Sequence, residues 1–318
     1  MRALRVHDLG DPTDVMSLDD VAPPIAGAGQ LLVRVRAAGL NFPDVLMAQG
    51  RYQERRSLPY IPGIELCGEV VGTGQRVLGQ PAQGSGAFAE YAVMDTDRAW
   101  PVPDSLSDEK AAALFVTYQT GYGGLHQRAG ISAGDWLLVH AGAGGVGSAA
   151  IQLGKAAGAR VIATAGGARK VEVCRTLGAD HVVDYTREDF APVVDAVTDG
   201  HGADVVYDPV GGNVFAGSVR CIAFEGRLVV VGFTSGSIPA VDVGRIRDGN
   251  YSVIGLRWGL YREKDPARMG VVHAELTKLV ESGSIDPLVS GALPLEQAPK
   301  AFRALADRRT VGKLVLVP

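Results

Sequence analysis

The stretch Asp135–Gly158, DWLLVHAGAGGVGSAAIQLGKAAG, predicts a strand, a glycine turn and a helix in immediate succession. Trp136 to Val139 is an apolar run of strand length, and His140 ends it. The turn that follows has the spacing GxGxxG, and a second apolar run, Arg160–Thr164, begins one helix length later. Apolar residues recur at helical spacing after the turn, at Val146, Ala149, Ala150, Leu153 and Ala157.

The three glycines of the turn have the spacing that a dinucleotide pyrophosphate requires. Gly142 allows a tight turn, Gly144 lets the backbone approach the pyrophosphate, and Gly147 lets the helix pack closely on the strand. The N-terminus of the helix then faces the phosphates with free N–H groups. Because a chain with 42 glycines in 318 residues also produces this spacing in ordinary turns, the flanking strand and helix carry the prediction. The predicted contacts in the turn are Gly142, Ala143, Gly144, Gly145, Val146 and Gly147.

The loop after the second strand predicts which dinucleotide binds. A site for NAD carries an Asp or Glu about 20 residues past the first glycine, where it holds the ribose 2′-hydroxyl. No acidic residue stands between Asp135 and Glu172, and the loop ends in Arg169-Lys170. Since a charge-assisted hydrogen bond contributes about 1.5–3 kcal/mol, one such contact favours NADP over NAD by about 10- to 100-fold. The alternative is that both cations are solvated at the start of a helix.

Length and composition bound the classes of function. With 318 residues, 47% of them hydrophobic, the chain can bury a sizeable core and predicts two domains. The net charge is −4 and no basic stripe interleaves with aromatic residues, so nucleic acid is not an expected partner. Neither a signal-peptide core nor an apolar run of membrane-spanning length is present, which predicts a soluble, cytoplasmic protein. The three cysteines form no CxxC pair and predict small buried hydrophobes.

The N-terminal third of the chain predicts a β-rich domain. Short strand candidates alternate with Pro- and Gly-rich loops, at a spacing typical of a compact barrel or sandwich. A helix begins at Ser107, with Asp108 and Glu109 in its first turn. The strand candidates are Met1–Val6, Leu31–Ala37, Glu65–Val71, Arg76–Leu78 and Phe88–Met94.

From Trp136 onward the pattern changes to strands that alternate with helices. This alternation predicts a parallel, doubly wound sheet whose ligand lies at the carboxyl ends of the strands. Beyond the glycine turn the strand candidates are Arg160–Thr164, His181–Tyr185, Ala203–Tyr207, Arg227–Gly232 and Tyr251–Leu256. The strand ends carry His140, Thr164, Tyr185, Asp208 and Phe233.

The last part of the chain predicts a return to the first domain. Helical segments Pro266–Val280 and Leu295–Ala306 precede a final strand, Lys313–Val317. Because a strand after a complete doubly wound sheet needs a partner, we expect it to pair in the first domain. The predicted fold is therefore α/β, with a β-rich catalytic domain of residues 1–120 and 262–318 and a parallel-sheet domain of residues 121–261 inserted in it.

Motifs over nearly the whole chain carry a family resemblance. They are Gly39-Leu40-Asn41-Phe42-Pro43-Asp44, Pro62-Gly63-Ile64-Glu65, HAGAGGVG, HVVDY and the ending RRTVGKLVLVP. The chain resembles the zinc-independent medium-chain dehydrogenases/reductases of the quinone oxidoreductase (zeta-crystallin-like) type. The resemblance implies a GroES-like catalytic domain, a Rossmann domain that binds NADPH, and a cleft between them. It also implies a homodimer, formed through the strand near Arg227–Gly232 or Tyr251–Leu256.

Two positions depart from the zinc alcohol dehydrogenases of the same superfamily. Their pattern has a zinc-binding Cys where this chain has Asn41, and a His where it has Ile64; the four-cysteine lobe for a structural zinc is absent as well. Since a catalytic zinc needs three protein ligands, we expect no metal. The expected reaction is hydride transfer from NADPH to an acceptor that needs little Lewis-acid help, such as a quinone or another conjugated carbonyl.

By motif position, the resemblance assigns roles to single residues. Asn41 lies where the family faces NADPH and substrate, and Tyr52 lies where a hydroxyl could donate a hydrogen bond or a proton to a developing oxyanion. The alternatives are a turn residue for Asn41 and a loop anchor for Tyr52. Lys170 is assigned to the 2′-phosphate, Thr120 to the nicotinamide or its ribose, and Tyr185, otherwise an ordinary core residue, to the adenosine. The remaining cofactor contacts are assigned to Thr164, Gly166, Arg169, Gly232 and Phe233.

Two other functions remain open. The stretch LNFPDVLMAQGRY also resembles zinc-free enoyl-thioester (enoyl-CoA or enoyl-ACP) reductases, in which a tyrosine near this position assists protonation. Such an enzyme shares cofactor and fold but admits a long acyl carrier arm instead of a flat ring. The third possible function is that of a protein that binds NADPH without turnover. Such a protein could carry a damaged cofactor site, but the GxGxxG turn is intact and Arg169 and Lys170 are present, which argues against such damage.

Overall fold

The computed structural model describes the chain from Met1 to Pro318 and contains fifteen strands and eleven α-helices. The strands are β1 (Arg2–Val6), β2 (Met16–Asp20), β3 (Gln30–Gly39), β4 (Leu66–Val70), β5 (Arg76–Gly79), β6 (Tyr91–Asp95), β7 (Ala99–Pro101), β8 (Trp136–Val139), β9 (Arg160–Ala165), β10 (His181–Asp184), β11 (Ala203–Asp208), β12 (Ile222–Val230), β13 (Ser252–Gly255), β14 (Val289–Pro294) and β15 (Lys313–Val317). The helices are α1 (Pro12–Val15), α2 (Phe42–Ala48), α3 (Asp108–Tyr122), α4 (Gly145–Ala156), α5 (Ala168–Thr176), α6 (Phe190–Val197), α7 (Asn213–Ser218), α8 (Val243–Gly249), α9 (Tyr261–Lys264), α10 (Pro266–Glu281) and α11 (Ala298–Ala306). None of the helices combines the length and the apolar character that a membrane span requires.

The chain divides into two compact units, residues 1–116 with 287–318 and residues 117–286. The first division lies inside α3, close to the predicted boundary after residue 120. The second differs from the prediction, because α9 and α10 lie in the second unit, whereas the sequence pattern placed residues from 262 onward in the catalytic domain. Within the second unit, Gln119 donates to the Met269 carbonyl of α10 at 3.3 Å, and the Gln152 amide pairs with both backbone groups of Asp286. These side-chain contacts join α10 to α3 and the segment after α10 to α4, and a helical period alone does not reveal them.

The first unit is β-rich, as predicted. Its seven-stranded sheet has the order β14-β15-β3-β4-β5-β7, with β6 also paired to β3, and β1 pairs with β2 in a separate sheet. Strand β15 pairs with β3 through Val315 opposite Gly39. This pairing confirms that the end of the chain returns to the first domain. The core contains Leu66, Phe88 and Phe302.

The second unit is a parallel sheet with the order β10-β9-β8-β11-β12-β13. This is the doubly wound order, and it confirms the predicted strand–helix alternation. The order reverses between β8 and β11, and such a switch point is where sheets of this type bind ligands. Leu138, Ile162, Val206 and Leu228 lie in its core. The sequence located all six strands. The central strand β8 is a continuous apolar run, as expected for a strand buried on both faces, whereas the terminal strands β10 and β13 are partly exposed.

Candidate active site

The glycine turn lies between β8 and α4, at the switch point of the parallel sheet. Its left-handed residue is Ala141, with φ 51°, and not Gly142, which was expected to allow the tight turn. Gly142 is needed because a Cβ there would lie 2.9 Å from Cys174 Sγ and 3.0 Å from the Ala163 Cβ. A Cβ on Gly147 would overlap the Ala141 carbonyl oxygen. Helix α4 therefore approaches the turn as closely as only glycine allows.

The N-terminus of α4 fits the diphosphate of a dinucleotide. Gly144 is the N-cap, and a Cβ on it would meet only one backbone oxygen of the turn, at 3.3 Å. The first-turn N–H groups of Gly145, Val146 and Gly147 have no partner inside the helix, and the positive end of the helix dipole attracts phosphate. Ala143, also predicted to contact the cofactor, has a buried side chain. The backbone of the turn, rather than its side chains, is thus the group that could hold a phosphate.

His140 links β8, β9 and α7 at this end of the sheet. Its Nδ1 lies 3.1 Å from Thr164 Oγ1 and its Nε2 lies 2.8 Å from Ser218 Oγ. Ser218 donates its own hydrogen to the Val214 carbonyl, so it accepts from His140 Nε2–H, and Thr164 must donate to Nδ1. Burial lowers the pKa of His140 to about 3, so the ring is neutral. The hydrogens of this His140–Ser218–Thr164 group are therefore all used. Thr164, a predicted cofactor contact, could only accept a hydrogen bond from a ligand, through a lone pair of Oγ1.

The loop between β9 and α5 brings together the residues predicted for the adenosine and the 2′-phosphate. A Cβ on Gly166 would lie 2.6 Å from the Tyr185 hydroxyl oxygen, so the tyrosine side chain lies directly against this loop. Tyr185 is 54% exposed, which is incompatible with its alternative role as an ordinary core residue. Arg169 is exposed and Lys170 is half-buried in the first turn of α5.

The same loop holds an acid that the sequence pattern did not reveal. Asp184, at the end of β10, accepts a hydrogen bond from Gly167 N–H at 3.0 Å and two more from Thr186. These bonds, that of Gly167 first, lower the pKa of Asp184. The loop itself contains no acidic residue. Asp184 nevertheless lies beside it, because β10 pairs with β9 and sets Asp184 opposite Ala165. An open surface cavity of about 780 Å³ beside it is lined on its charged part by Arg169, Arg175, Arg187, Glu172, Asp184 and Glu188.

The ends of β11 and β12 carry the last predicted contacts of the second unit. Asp208 is buried and accepts from two backbone N–H groups of the following turn, at 2.8 and 3.0 Å, and burial raises its pKa. Gly232 N–H points to the Asp208 carbonyl, at 3.4 Å. The Phe233 ring lies against Gly211, where a Cβ would be 2.8 Å away. Thr120 is half-buried on α3, and this side chain belongs to the same unit.

In the first unit, Asn41 is the N-cap of α2 and lies in a buried polar cluster. Its N–H donates to Asp44 Oδ2 at 2.9 Å, and Gly63 N–H donates to Asp44 Oδ1 at 3.2 Å. Complete burial raises the pKa of Asp44 to about 7. Asp44 thereby joins the two motifs that the sequence analysis singled out, one with Asn41 and one with Glu65.

A buried lysine completes this cluster. Lys313, the first residue of β15, is 5% exposed. Its Nζ lies 2.8 Å from the Leu40 carbonyl oxygen, 2.7 Å from Asn41 Oδ1 and 2.7 Å from Glu65 Oε1. Glu65 Oε2 accepts Val116 N–H at 2.7 Å. Sequence reasoning missed Lys313, although a lysine in an otherwise apolar terminal strand was a signal that could have found it.

Tyr52 follows the C-terminus of α2 and is half-buried. Gly50, with φ 66°, ends the helix, and its N–H donates to the Met47 carbonyl at 3.0 Å. Asn41 precedes the first turn of α2, whose seven residues extend about 10 Å. Tyr52 lies in the bend that follows the other end of this helix.

The chain has no group of three or more His, Cys, Asp and Glu side chains that could hold a metal ion. Around Asn41 the oxygen atoms that a cation would seek already bind the Lys313 ammonium. Ile64, at the position compared with a zinc-binding His, supplies no donor atom. The donor set of this cluster therefore does not fit a catalytic zinc.

Known protein families match both units. The alcohol dehydrogenase GroES-like domain matches residues 27–104, and the domain described as a zinc-binding dehydrogenase matches residues 145–270. Quinone oxidoreductase-like protein 2 homolog of Nematostella vectensis is 36% identical over 326 residues, covering 99% of this chain and 88% of the relative. The chain belongs to the quinone oxidoreductase family of the medium-chain dehydrogenases/reductases.

Membership of this family agrees with the fold. The crystal structure of Escherichia coli quinone oxidoreductase complexed with NADPH is 30% identical, with a TM-score of 0.91 and complete coverage of both chains. The GroES-like domain and the Rossmann-type parallel sheet are thereby confirmed. A second kind of relative is the phthioceranic/hydroxyphthioceranic acid synthase of Mycobacterium tuberculosis, 33% identical over 321 residues, covering 96% of this chain but 15% of the synthase.

Proposed function

We propose that this protein is an NADPH-dependent oxidoreductase that transfers hydride to a quinone or another conjugated carbonyl compound without a metal ion. The observation that carries the proposal is the chemistry around Asn41, where a lysine ammonium, two carboxylates and amide groups stand in place of metal ligands. Without a Lewis acid, the acceptor must itself be electron-poor, and quinones and enones meet that condition. The name of the Escherichia coli relative supports the same class of acceptor.

The second unit supports NADPH as the dinucleotide. The first turn of α4 would hold the diphosphate, and Arg169 and Lys170 would hold the 2′-phosphate beside Tyr185. When bound, the reduced nicotinamide supplies the hydride. The Escherichia coli relative is complexed with NADPH, which agrees with this assignment.

The first unit would supply polarity to the reaction. The Tyr52 hydroxyl would donate a hydrogen bond to the oxyanion that develops on the acceptor, a role in which a preorganised donor favours the transition state. Asn41 would contact the cofactor, and its partners Asp44, Glu65 and Lys313 would hold it in place.

An acceptor screen with a Tyr52 variant tests the proposal. NADPH oxidation is followed with a naphthoquinone, an enone and an enoyl-CoA ester, for the wild type and Tyr52→Phe. We expect saturable quinone turnover that Tyr52→Phe lowers by less than about tenfold, because the hydroquinone anion spreads its charge and a neutral hydrogen bond contributes only about 0.5–1.5 kcal/mol. Tyr91→Phe, on β6 of the same unit, is the matched control and should leave turnover unchanged.

A second candidate is an enoyl-thioester reductase, because the stretch LNFPDVLMAQGRY around Asn41 and Tyr52 also resembles zinc-free enzymes of that kind. Its enolate product must be protonated at carbon by a positioned acid, which contributes about 100- to 10,000-fold. Reduction of the enoyl-CoA by the wild type, with a loss far above tenfold in Tyr52→Phe, would replace the first proposal by this one. NADPH binding with no turnover of any acceptor would favour a non-catalytic NADPH-binding protein.

A further inference from the structure

The hydrogen bonds of Asn41 leave this side chain only one way to meet a ligand. Its Nδ2 donates to the Gly39 carbonyl at 3.1 Å and to Glu65 Oε1 at 2.9 Å, which uses both of its hydrogens. Its Oδ1 accepts from Lys313 at 2.7 Å, which uses one of two lone pairs. The second lone pair of Oδ1 is the one hydrogen-bonding position of the amide that has no partner.

Lys313 decides which way this amide points. An asparagine amide can turn over and exchange its oxygen and nitrogen positions. Here an ammonium, which only donates, faces one end of the amide, and a carboxylate faces the other. Turning the amide over would set Nδ2 against the ammonium and Oδ1 against Glu65, so one orientation is strongly preferred.

The ammonium itself has no hydrogen left for a ligand. Its three hydrogens match the three oxygens of Leu40, Asn41 and Glu65. Lys313 reaches them from the far end of the chain because β15 pairs with β3, whose last residue, Gly39, directly precedes Leu40 and Asn41. The lysine therefore acts through Asn41 and Glu65.

We propose that Lys313 is a positioning residue that fixes Asn41 as a hydrogen-bond acceptor only, so that Asn41 selects a cofactor group that donates, such as a ribose hydroxyl or the nicotinamide amide. This inference rests on the proposed function, in which Asn41 contacts NADPH. It assigns Asn41 one specific contact with the cofactor, a hydrogen bond that Oδ1 accepts.

The first experiment removes the ammonium and supplies it again. Lys313→Ala lacks the atoms of a propylammonium ion, so NADPH affinity is measured by fluorescence titration with and without added propylammonium. We expect the Kd to rise about tenfold, the scale of one charge-assisted hydrogen bond, and to recover with propylammonium. Tetramethylammonium, which carries the charge but has no N–H, should not restore it. Lys300→Ala, an exposed lysine of α11, is the control.

The second experiment exchanges amide and carboxylate. The double variant N41D/E65Q keeps the net charge and keeps an acceptor at position 41 beside Lys313, but it removes the Asn41 donors. The comparison variant is N41L/E65Q, which has the same change at Glu65 but no acceptor at position 41. If the cofactor receives an acceptor from this position, N41D/E65Q should bind NADPH about tenfold more tightly than N41L/E65Q, the scale of one hydrogen bond. A folded exchange variant that binds NADPH no more tightly than N41L/E65Q would overturn the proposal.

The remaining outcomes are also decisive. A folded Lys313→Ala protein with wild-type Kd would make Lys313 a stabilising residue and nothing more. Loss of folding in Lys313→Ala that propylammonium does not relieve, together with an unfolded exchange variant, would assign the cluster to stability and equally overturn the inference. Wild-type protein that binds NADPH but reduces no acceptor would end the proposed function while leaving these affinity tests valid.

Discussion

At the scale of single residues, His140 makes the stability of the second unit depend on pH. Its pKa is about 3 in the folded chain because the ring is buried, whereas an unfolded histidine titrates near about 6.5. Between these values the unfolded state binds more protons, so stability rises with pH. We expect His140→Gln to remove about 1.4 kcal/mol per pH unit of this dependence between about pH 4 and pH 6. Urea unfolding of both proteins across this range measures it, and equal slopes would contradict the neutral, buried ring.

Asp184 should weaken the preference of the site for NADPH over NADH. Its carboxylate binds Gly167 N–H in the loop proposed for the 2′-phosphate, so a negative charge stands where another would bind. Asp184→Asn keeps an oxygen that can accept from Gly167 and removes the charge. We expect the ratio of NADH to NADPH Kd to rise about two- to fivefold, the scale of an exposed charge interaction. Titration of both cofactors measures it.

Lys170→Ala is the opposing variant for the same ratio. Loss of the cation should lower the preference for NADPH over NADH, which we expect to be at least about tenfold in the wild type. Equal Kd values for the two cofactors in the wild type would show that the loop does not read the 2′-phosphate. A change of the ratio in the same direction for both variants would also count against this account.

At the scale of elements, two glycines where α4 meets the glycine turn have different roles. Gly147 is needed for packing of the helix, and Gly144 for the approach of a ligand. A Cβ on Gly147 would overlap the Ala141 carbonyl, whereas one on Gly144 meets only a single oxygen at 3.3 Å. Gly147→Ala should therefore destabilise the protein by about 1–3 kcal/mol, the cost of overpacking. Gly144→Ala should leave the unfolding midpoint nearly unchanged but weaken NADPH binding at least about tenfold, because its Cβ would face the diphosphate. Reversed effects for the two variants would refute this division of roles.

The elements also show what the sequence could predict. The buried strands of the parallel sheet were predictable because apolar runs and turn glycines encode them locally. The pairing of the final strand was predictable because a strand after a complete sheet needs a partner. Strands β2, β7 and β14 were not predicted. β7 has only three residues, β2 ends in two aspartates, and β14 contains a glycine and a proline, residue types that are depleted in strands. Gly142 was predicted to allow the tight turn, whereas the residue with left-handed backbone angles in the structure is Ala141.

The polar contacts of the site were the least predictable part. Asn41 and Glu65 were visible as motif residues, but their partner Lys313 lies 272 residues from Asn41. Asp184 lies 17 residues from Gly167, and only the register of β10 against β9 brings them together. Such contacts depend on strand pairing, so a local pattern can draw attention to a residue such as Lys313 but does not identify its partner.

At the scale of the whole molecule, we expect a homodimer, as the family resemblance implies. Of the two strands that the resemblance implies for its interface, β12 is paired on both sides, to β11 and β13, whereas β13 is a terminal strand of the sheet. An edge strand has unpaired backbone groups that a second copy can bind, and a two-fold axis there would continue one sheet through two subunits. Light scattering over a concentration series should give the dimer mass. A monomer at every concentration would rule this assembly out.

We expect hydride transfer in this protein to need NADPH and an electron-poor acceptor but no metal. The most direct test is the rate of NADPH oxidation with a naphthoquinone after exhaustive treatment with a chelator, alongside metal analysis of the same sample. We predict an unchanged rate of NADPH oxidation and no stoichiometric zinc. Lys313 already binds the oxygens around Asn41, and the chain has no group of three side chains that could hold a metal ion. Loss of turnover on chelation, with recovery on addition of zinc, would contradict the account.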